Sequence, residues 1–128
     1  MTKEEFYKIF QNELEIVFLQ AGFKLKKKRG IPLYYSRQKN GIEEGISIDF
    51  DRLGVEWNVY LEKSTNDPRI LQLKRLSNPG VNPWWSYYDE EDLIKSLKEA
   101  KEIFLNEGLQ WFEGKIDYWD MREKEKMK

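Results

Sequence analysis

Asn40-Gly41 lies between two stretches of alternating apolar and polar residues, and this arrangement restricts the middle of the chain more than any other feature. An Asn-Gly pair tolerates positive φ at both central positions of a two-residue type I′ hairpin. Downstream, Ile46, Ile48 and Phe50 alternate with Ser47, Asp49 and Asp51. Val55, Trp57, Val59 and Leu61 alternate with Glu56, Asn58, Tyr60 and Glu62. A period of two is the mark of a half-buried strand. A turn at Asn40-Gly41 sets Lys39 opposite Ile42, Tyr35 opposite Ile46 and Leu33 opposite Ile48. A turn at Leu53-Gly54 sets Phe50 opposite Trp57, Ile48 opposite Val59 and Ile46 opposite Leu61. Apolar meets apolar in both registers, and a slip of one residue would destroy that match. A turn through Gly30-Ile31-Pro32 adds a first strand at 24–29. The expectation is a four-stranded antiparallel meander. A fifth strand is left open, because Arg69 to Arg75 reads as a short strand or as one helical turn.

The period changes on either side. Phe6, Ile9, Phe10, Leu14, Val17, Phe18 and Ala21 recur at steps of three and four, which predicts a helix over 3–21. Thr2 and Glu5 form a capping-box pair, with Met1 and Phe6 placed as a hydrophobic staple. Gly22 supplies the left-handed stop, and Phe23 can fold back onto the last turn. After the turn signals Thr65–Pro68, Asn78-Pro79-Gly80 and Asn82-Pro83, Asp89 begins a second helix with acids in its first turn, where the helix dipole favours them. Leu93, Leu97, Ala100 and Phe104 form its apolar stripe. Gly108 breaks or bends it, and Leu109, Phe112, Ile116 and Trp119 mark a further short helix.

Helices before and after a sheet can cover one of its faces. The expected fold is therefore α+β, a two-layer sandwich forming one domain over 1–122, followed by a charged tail at 123–128. Its expected core is Phe6, Phe10, Leu14, Val17, Ile46, Ile48, Phe50, Trp57, Val59, Leu61, Leu97 and Phe104.

Composition narrows the chemistry. The chain has no Cys, which excludes disulfides and thiolate sites, and no His, which excludes the commonest general base and metal ligand. A formal net charge of −1 argues against a nucleic-acid coat. "MTKEEFYKIF" is charged and amphipathic, unlike a signal peptide, and no apolar run approaches a membrane span. We therefore expect a cytoplasmic protein with no cofactor and no membrane association.

The stretch "GFKLKKKRGIPLYYSRQ" after the first helix, followed by "WNVYL", "RILQL" and a "WW" pair before an acidic helix start, resembles the family catalogued as domain of unknown function 4304. The likeness runs in outline from Phe6 to Phe112. It departs in the middle strand, where that family tends to carry a Gln and this chain reads "SIDFDR". The resemblance implies an α+β domain of bacterial type and assigns no reaction. By analogy of fold it raises an immunity-like or accessory role.

Three functional readings arise. The strand registers place Lys24, Lys26 and Lys28, then Tyr34, Ser36 and Gln38, then Glu43, Ser47, Asp49 and Asp51, then Glu56, Asn58, Tyr60 and Glu62 on the face away from the helices. That face would be basic at one edge and acidic on the other side, a docking surface for a protein with a basic patch. Trp84, Trp85, Tyr87 and Tyr88 form an aromatic loop in which alternate members close the core and the others face a partner. The leading expectation is a non-enzymatic protein–protein interaction domain using Trp84, Trp85, Tyr87, Tyr88, Asp49, Asp51, Glu56 and Tyr60. The second reading is a metal-dependent hydrolase, with Asp49, Asp51 and Glu56 holding Mg²⁺ or Ca²⁺. The third is phosphate contact by the basic strand at 24–29, with Tyr34, Tyr35 and the Trp pair stacking bases.

Overall fold

The computed structural model describes residues 1–51, 55–64 and 69–116, with Arg69 described in its backbone only. The expected turns at Leu53-Gly54 and Thr65–Pro68, Trp119 and the tail at 123–128 lie outside the described residues.

Helix α1 (Lys3–Phe10) continues through a π-helical turn (Gln11–Glu15) into α2 (Ile16–Gln20). Thr2 caps it by accepting the Glu5 amide at 3.1 Å, whereas Met1, the proposed staple residue, is half exposed. Gly22 ends the helix at φ 95°. The Phe23 amide returns to the Phe18 carbonyl at 3.1 Å, closing a Schellman motif and burying the Phe23 ring.

The sheet follows as β1 (Lys24–Lys28), β2 (Ile31–Lys39), β3 (Ile42–Phe50), β4 (Glu56–Lys63) and β5 (Arg69–Gln72), all antiparallel in the order β1-β2-β3-β4-β5. The expected registers are present: Tyr35 faces Ile46, Leu33 faces Ile48, Phe50 faces Trp57 and Ile46 faces Leu61. Asn40 (φ 54°) and Gly41 (φ 76°) make the left-handed turn between β2 and β3. The first hairpin differs from expectation. Its turn is Arg29-Gly30, Pro32 lies inside β2, and the register shifts between Lys26 and Lys28. The segment after β4 is both of the open alternatives in succession, strand β5 and then a helical turn, α3 (Lys74–Ser77).

A sixth strand was not anticipated. β6 (Trp85–Ser86) pairs with the first half of β4, Trp57 facing Trp85 and Glu56 facing Ser86, while β5 pairs with the second half. The chain then enters α4 (Glu90–Ile103), capped by Asp89, whose carboxylate accepts the Asp92 amide at 2.8 Å. Gly108 does not break this helix. It passes through a π-helical turn (Phe104–Gly108) into α5 (Leu109–Phe112). A Cβ on Gly108 would lie 3.1 Å from Phe104 and 3.3 Å from Leu73, so the glycine permits a close approach.

The helices meet the sheet through one set of alternate strand residues. Phe6 packs on Phe50, Phe10 and Phe18 on Tyr35, and Phe18 on Phe104. The Trp57 indole N–H donates to Ser96 Oγ of α4 at 2.9 Å, and Ser96 donates onward to the Leu93 carbonyl. All of the expected core is buried except Phe50, which is half-buried against it.

Removing the Ser96 hydroxyl strands a fully buried indole N–H, and an unpaired buried donor costs about 1–3 kcal/mol. Ser96→Ala should lower stability by that amount in urea unfolding followed by tryptophan fluorescence. In the Trp57→Phe background the same substitution should cost clearly less.

Candidate functional site

The face turned from the helices is not the open, solvated surface that its polar residues suggest. Ser36, Ser47 and Tyr34 are buried, and Asn58 is fully so. Around Ser36 and Ser47 a layer of side chains is laid across the sheet over Gly45. A Cβ at Gly45 would stand 2.7 Å from the Tyr34 hydroxyl and 2.9 Å from Glu62 Cγ, closer than either could tolerate. The absence of a side chain there lets Tyr34 (β2) and Glu62 (β4) close over β3.

Lys28 completes the layer. It follows the register shift at the end of β1. Its ammonium lies 4.5 Å from the centre of the Tyr34 ring and 3.0 Å from Glu62 Oε1. Tyr34 donates to Glu43 at 3.3 Å. Burial, then the negative charge of Glu62 and Glu43, pushes the Tyr34 hydroxyl well above its ordinary range. The Lys28–Glu62 pair thus forms a strut between two hollows. One, of about 710 Å³, is lined by Lys24, Lys26, Lys27, Tyr34, Ser36 and Gln38 among others. The other, of about 410 Å³, is lined by Pro32, Ser47, Asp49, Tyr60, Glu62 and Ile70 among others. Asn58 Oδ1 accepts the Val59 amide at 2.7 Å, and the buried Nδ2 has no partner among the described residues.

The acids at the far end behave differently from a metal site. Asp51 lies across from Glu56, its amide donating to the Glu56 carbonyl at 3.0 Å. Its carboxylate is turned to the chain and accepts the Val55 amide at 3.1 Å. Asp49 faces Asn58. Among the described residues no group of three or more such side chains is placed to hold a metal ion. The hydrolase expectation for Asp49, Asp51 and Glu56 therefore has no supporting geometry.

The aromatic loop divides as alternation requires, but this corrects half of the expected contact set. Trp85 stacks on Trp57 with ring centres 4.7 Å apart, and Tyr87 packs on Phe6; both are buried and out of reach of a partner. Burial, then the nearby Asp51 charge, raises the Tyr87 hydroxyl above its ordinary range. Trp84 is half-buried, and Tyr88 is 87% exposed. The loop is held by backbone contacts. The Trp84 amide donates to Asn82 and the Tyr88 amide to Asp92, while Lys74 donates to the Trp84 carbonyl. Arg75 donates to the Val81 carbonyl.

Sequence reasoning treated the sheet acids and the aromatic loop as separate surfaces. β6 joins them. Ser86 pairs with Glu56, and the Tyr87 amide donates to the Val55 carbonyl at 2.9 Å. Tyr88 and the acids Asp89, Glu90, Glu91 and Asp92 therefore follow directly from the sheet end that carries Asp51 and Glu56. The one signal for this in the sequence is the two-residue alternation of Trp85 and Tyr87 against Ser86 and Tyr88. No family model matches the chain, and neither a curated protein nor a solved structure does. The resemblance to domain of unknown function 4304 stands on its quoted motifs alone.

Two measurements test the layer over Gly45. Gly45→Ala forces Tyr34 or Glu62 aside and should cost about 1–3 kcal/mol in urea unfolding, as overpacking does. The raised Tyr34 and Tyr35 hydroxyls also predict a pH effect. Above about pH 10 the unfolded chain releases tyrosine protons that the folded chain still holds, so unfolding is favoured as pH rises. Stability should be level below that range and fall through it, and Tyr34→Phe should make the fall shallower.

Proposed function

We propose that this chain is a non-enzymatic protein-binding domain that recognises a cationic surface on its partner. The site is the acidic end of the sheet together with the aromatic loop. The observation that carries this reading is the pairing of β6 with β4, which brings the exposed Tyr88 ring and the acidic start of α4 beside Asp51 and Glu56. An exposed aromatic ring surrounded by charge is a recurrent anchor in protein interfaces, because it brings large contact area with few rotatable bonds. The surrounding acids speed encounter with a basic partner and disfavour acidic ones. Asp49, Tyr60 and Trp84 extend the contact, while Trp85 and Tyr87 support it from the core. An immunity-like role, in which the domain covers the working surface of a cationic protein and so neutralises it, is the specific form of this reading.

The test uses partners captured by the wild-type protein and then purified. Tyr88→Ala should weaken their binding at least about tenfold, chiefly through faster dissociation. A variant carrying Asp51→Lys and Glu56→Lys should slow association and reverse its salt dependence. Partners that bind both variants as tightly as the wild type remove the acidic end from the interface.

A further inference from the structure

We propose that the free edge of β1 is a second recognition site, which takes an extended, acidic peptide segment of another protein as an added strand. This surface lies on the other side of the Lys28–Glu62 strut from the acidic end. β1 terminates the sheet order, so its outer N–H and C=O groups have no strand partner among the described residues. Every residue of β1 is exposed.

The two faces of this edge specify what fits beside it. Lys24 and Lys26 face the same side as their cross-strand neighbours Ser36 and Tyr34. Along this edge lies the hollow of about 710 Å³, also lined by Lys27, Lys28, Arg37 and Glu43. Two of the cations lining it are already engaged: Lys28 pairs with Glu62, and Arg37 pairs with Glu44 at 2.7 Å. Lys24, Lys26 and Lys27 make no ion pair among the described residues. The opposite side carries Leu25, which faces Tyr35 and is 54% exposed. Phe18 of α2 packs on that same Tyr35, and Ile16 and Leu19 of the same helical run are also exposed. An added strand thus meets lysines on one face and the exposed Leu25 side chain on the other.

The fitting occupant is a segment in which acidic and apolar residues alternate. Main-chain hydrogen bonds would supply affinity, and the alternation would supply specificity. A second copy of this chain is disfavoured at this edge, since it would set lysines against lysines.

The probe is a capped synthetic peptide of alternating glutamate and valine, titrated into the full chain by fluorescence anisotropy. It should bind with salt-sensitive affinity. A variant carrying Lys24→Glu and Lys26→Glu, both exposed positions, should bind it at least about tenfold more weakly. A peptide of the same composition with its glutamates and valines in blocks should bind far less. N-methylation of alternate peptide residues should abolish binding in one phase and spare it in the other, because only one set of amides faces β1. Equal binding of the alternating and block peptides overturns the proposal, as does equal tolerance of both N-methylation phases. Displacement of the peptide by oligothymidylate, with tighter binding at the same lysines, would make the edge a nucleic-acid site and also overturns it.

Discussion

Trp57 is the residue through which sheet, loop and helix are fixed to one another. Its ring stacks on Trp85, its backbone belongs to the Trp57–Trp85 pair that creates β6, and its indole N–H is held by Ser96 of α4. Stacked aromatic pairs contribute about 0.5–1.5 kcal/mol beyond the area they bury. Trp85 offsets part of that gain. Its own indole N–H is buried without an acceptor among the described residues, although Lys74 lies 5.3 Å from its ring centre. The stack therefore holds chiefly by excluding water from two large rings. Its consequence reaches further than stability, since the residues immediately after Trp85 set where Tyr88 and the acidic start of α4 stand.

Two ion pairs of similar appearance do different work. Arg37–Glu44 is buried on the core side; Arg37 also donates to the Ala21 carbonyl at 2.6 Å and lies 4.4 Å from the centre of the Phe23 ring. Removing one partner of such a pair leaves a buried charge uncompensated, at a cost of about 3–5 kcal/mol. Beside it in the register, Glu44 faces Lys63, whose ammonium donates to the Trp111 carbonyl at 2.5 Å. This row closes one end of the core where the helical run finishes. Lys28–Glu62 is partly exposed and adds little to stability by comparison. What it changes is shape: it divides one sheet face into two hollows of different chemistry.

The strand registers were legible because apolar and polar residues alternate over long runs and Asn40-Gly41 admits only a tight turn. The burial of Ser36, Ser47 and Asn58 was not legible, since polar residues on alternate positions ordinarily signal solvent. Only the glycine at position 45 hinted that side chains cross there, and its effect depends on strand partners far away in sequence. β6 was hidden because two residues carry no measurable period. The segment from Arg69 to Ser77 fitted neither template because it contains both. Of the two alternatives for Gly108, a break is excluded: a π-helical turn absorbs the glycine and brings the backbone close to Leu73. For the binding surface, alternation correctly separated the aromatic loop into two sets, but which of Trp84 and Trp85 lay inside depended on the partner ring, Trp57.

A net charge of −1 conceals how the charge is arranged. Neighbouring strands stand about 4.8 Å apart, so β1 and β4 are separated by roughly 14 Å across the sheet. The screening length at physiological ionic strength is about 8 Å. Lysines on β1 and carboxylates near the start of β4 are thus too far apart to cancel one another, except where Lys28 reaches across to Glu62. An approaching molecule feels whichever end it nears. A nearly neutral domain can in this way present two surfaces of opposite sign that act independently, because distance and screening keep each from neutralising the other.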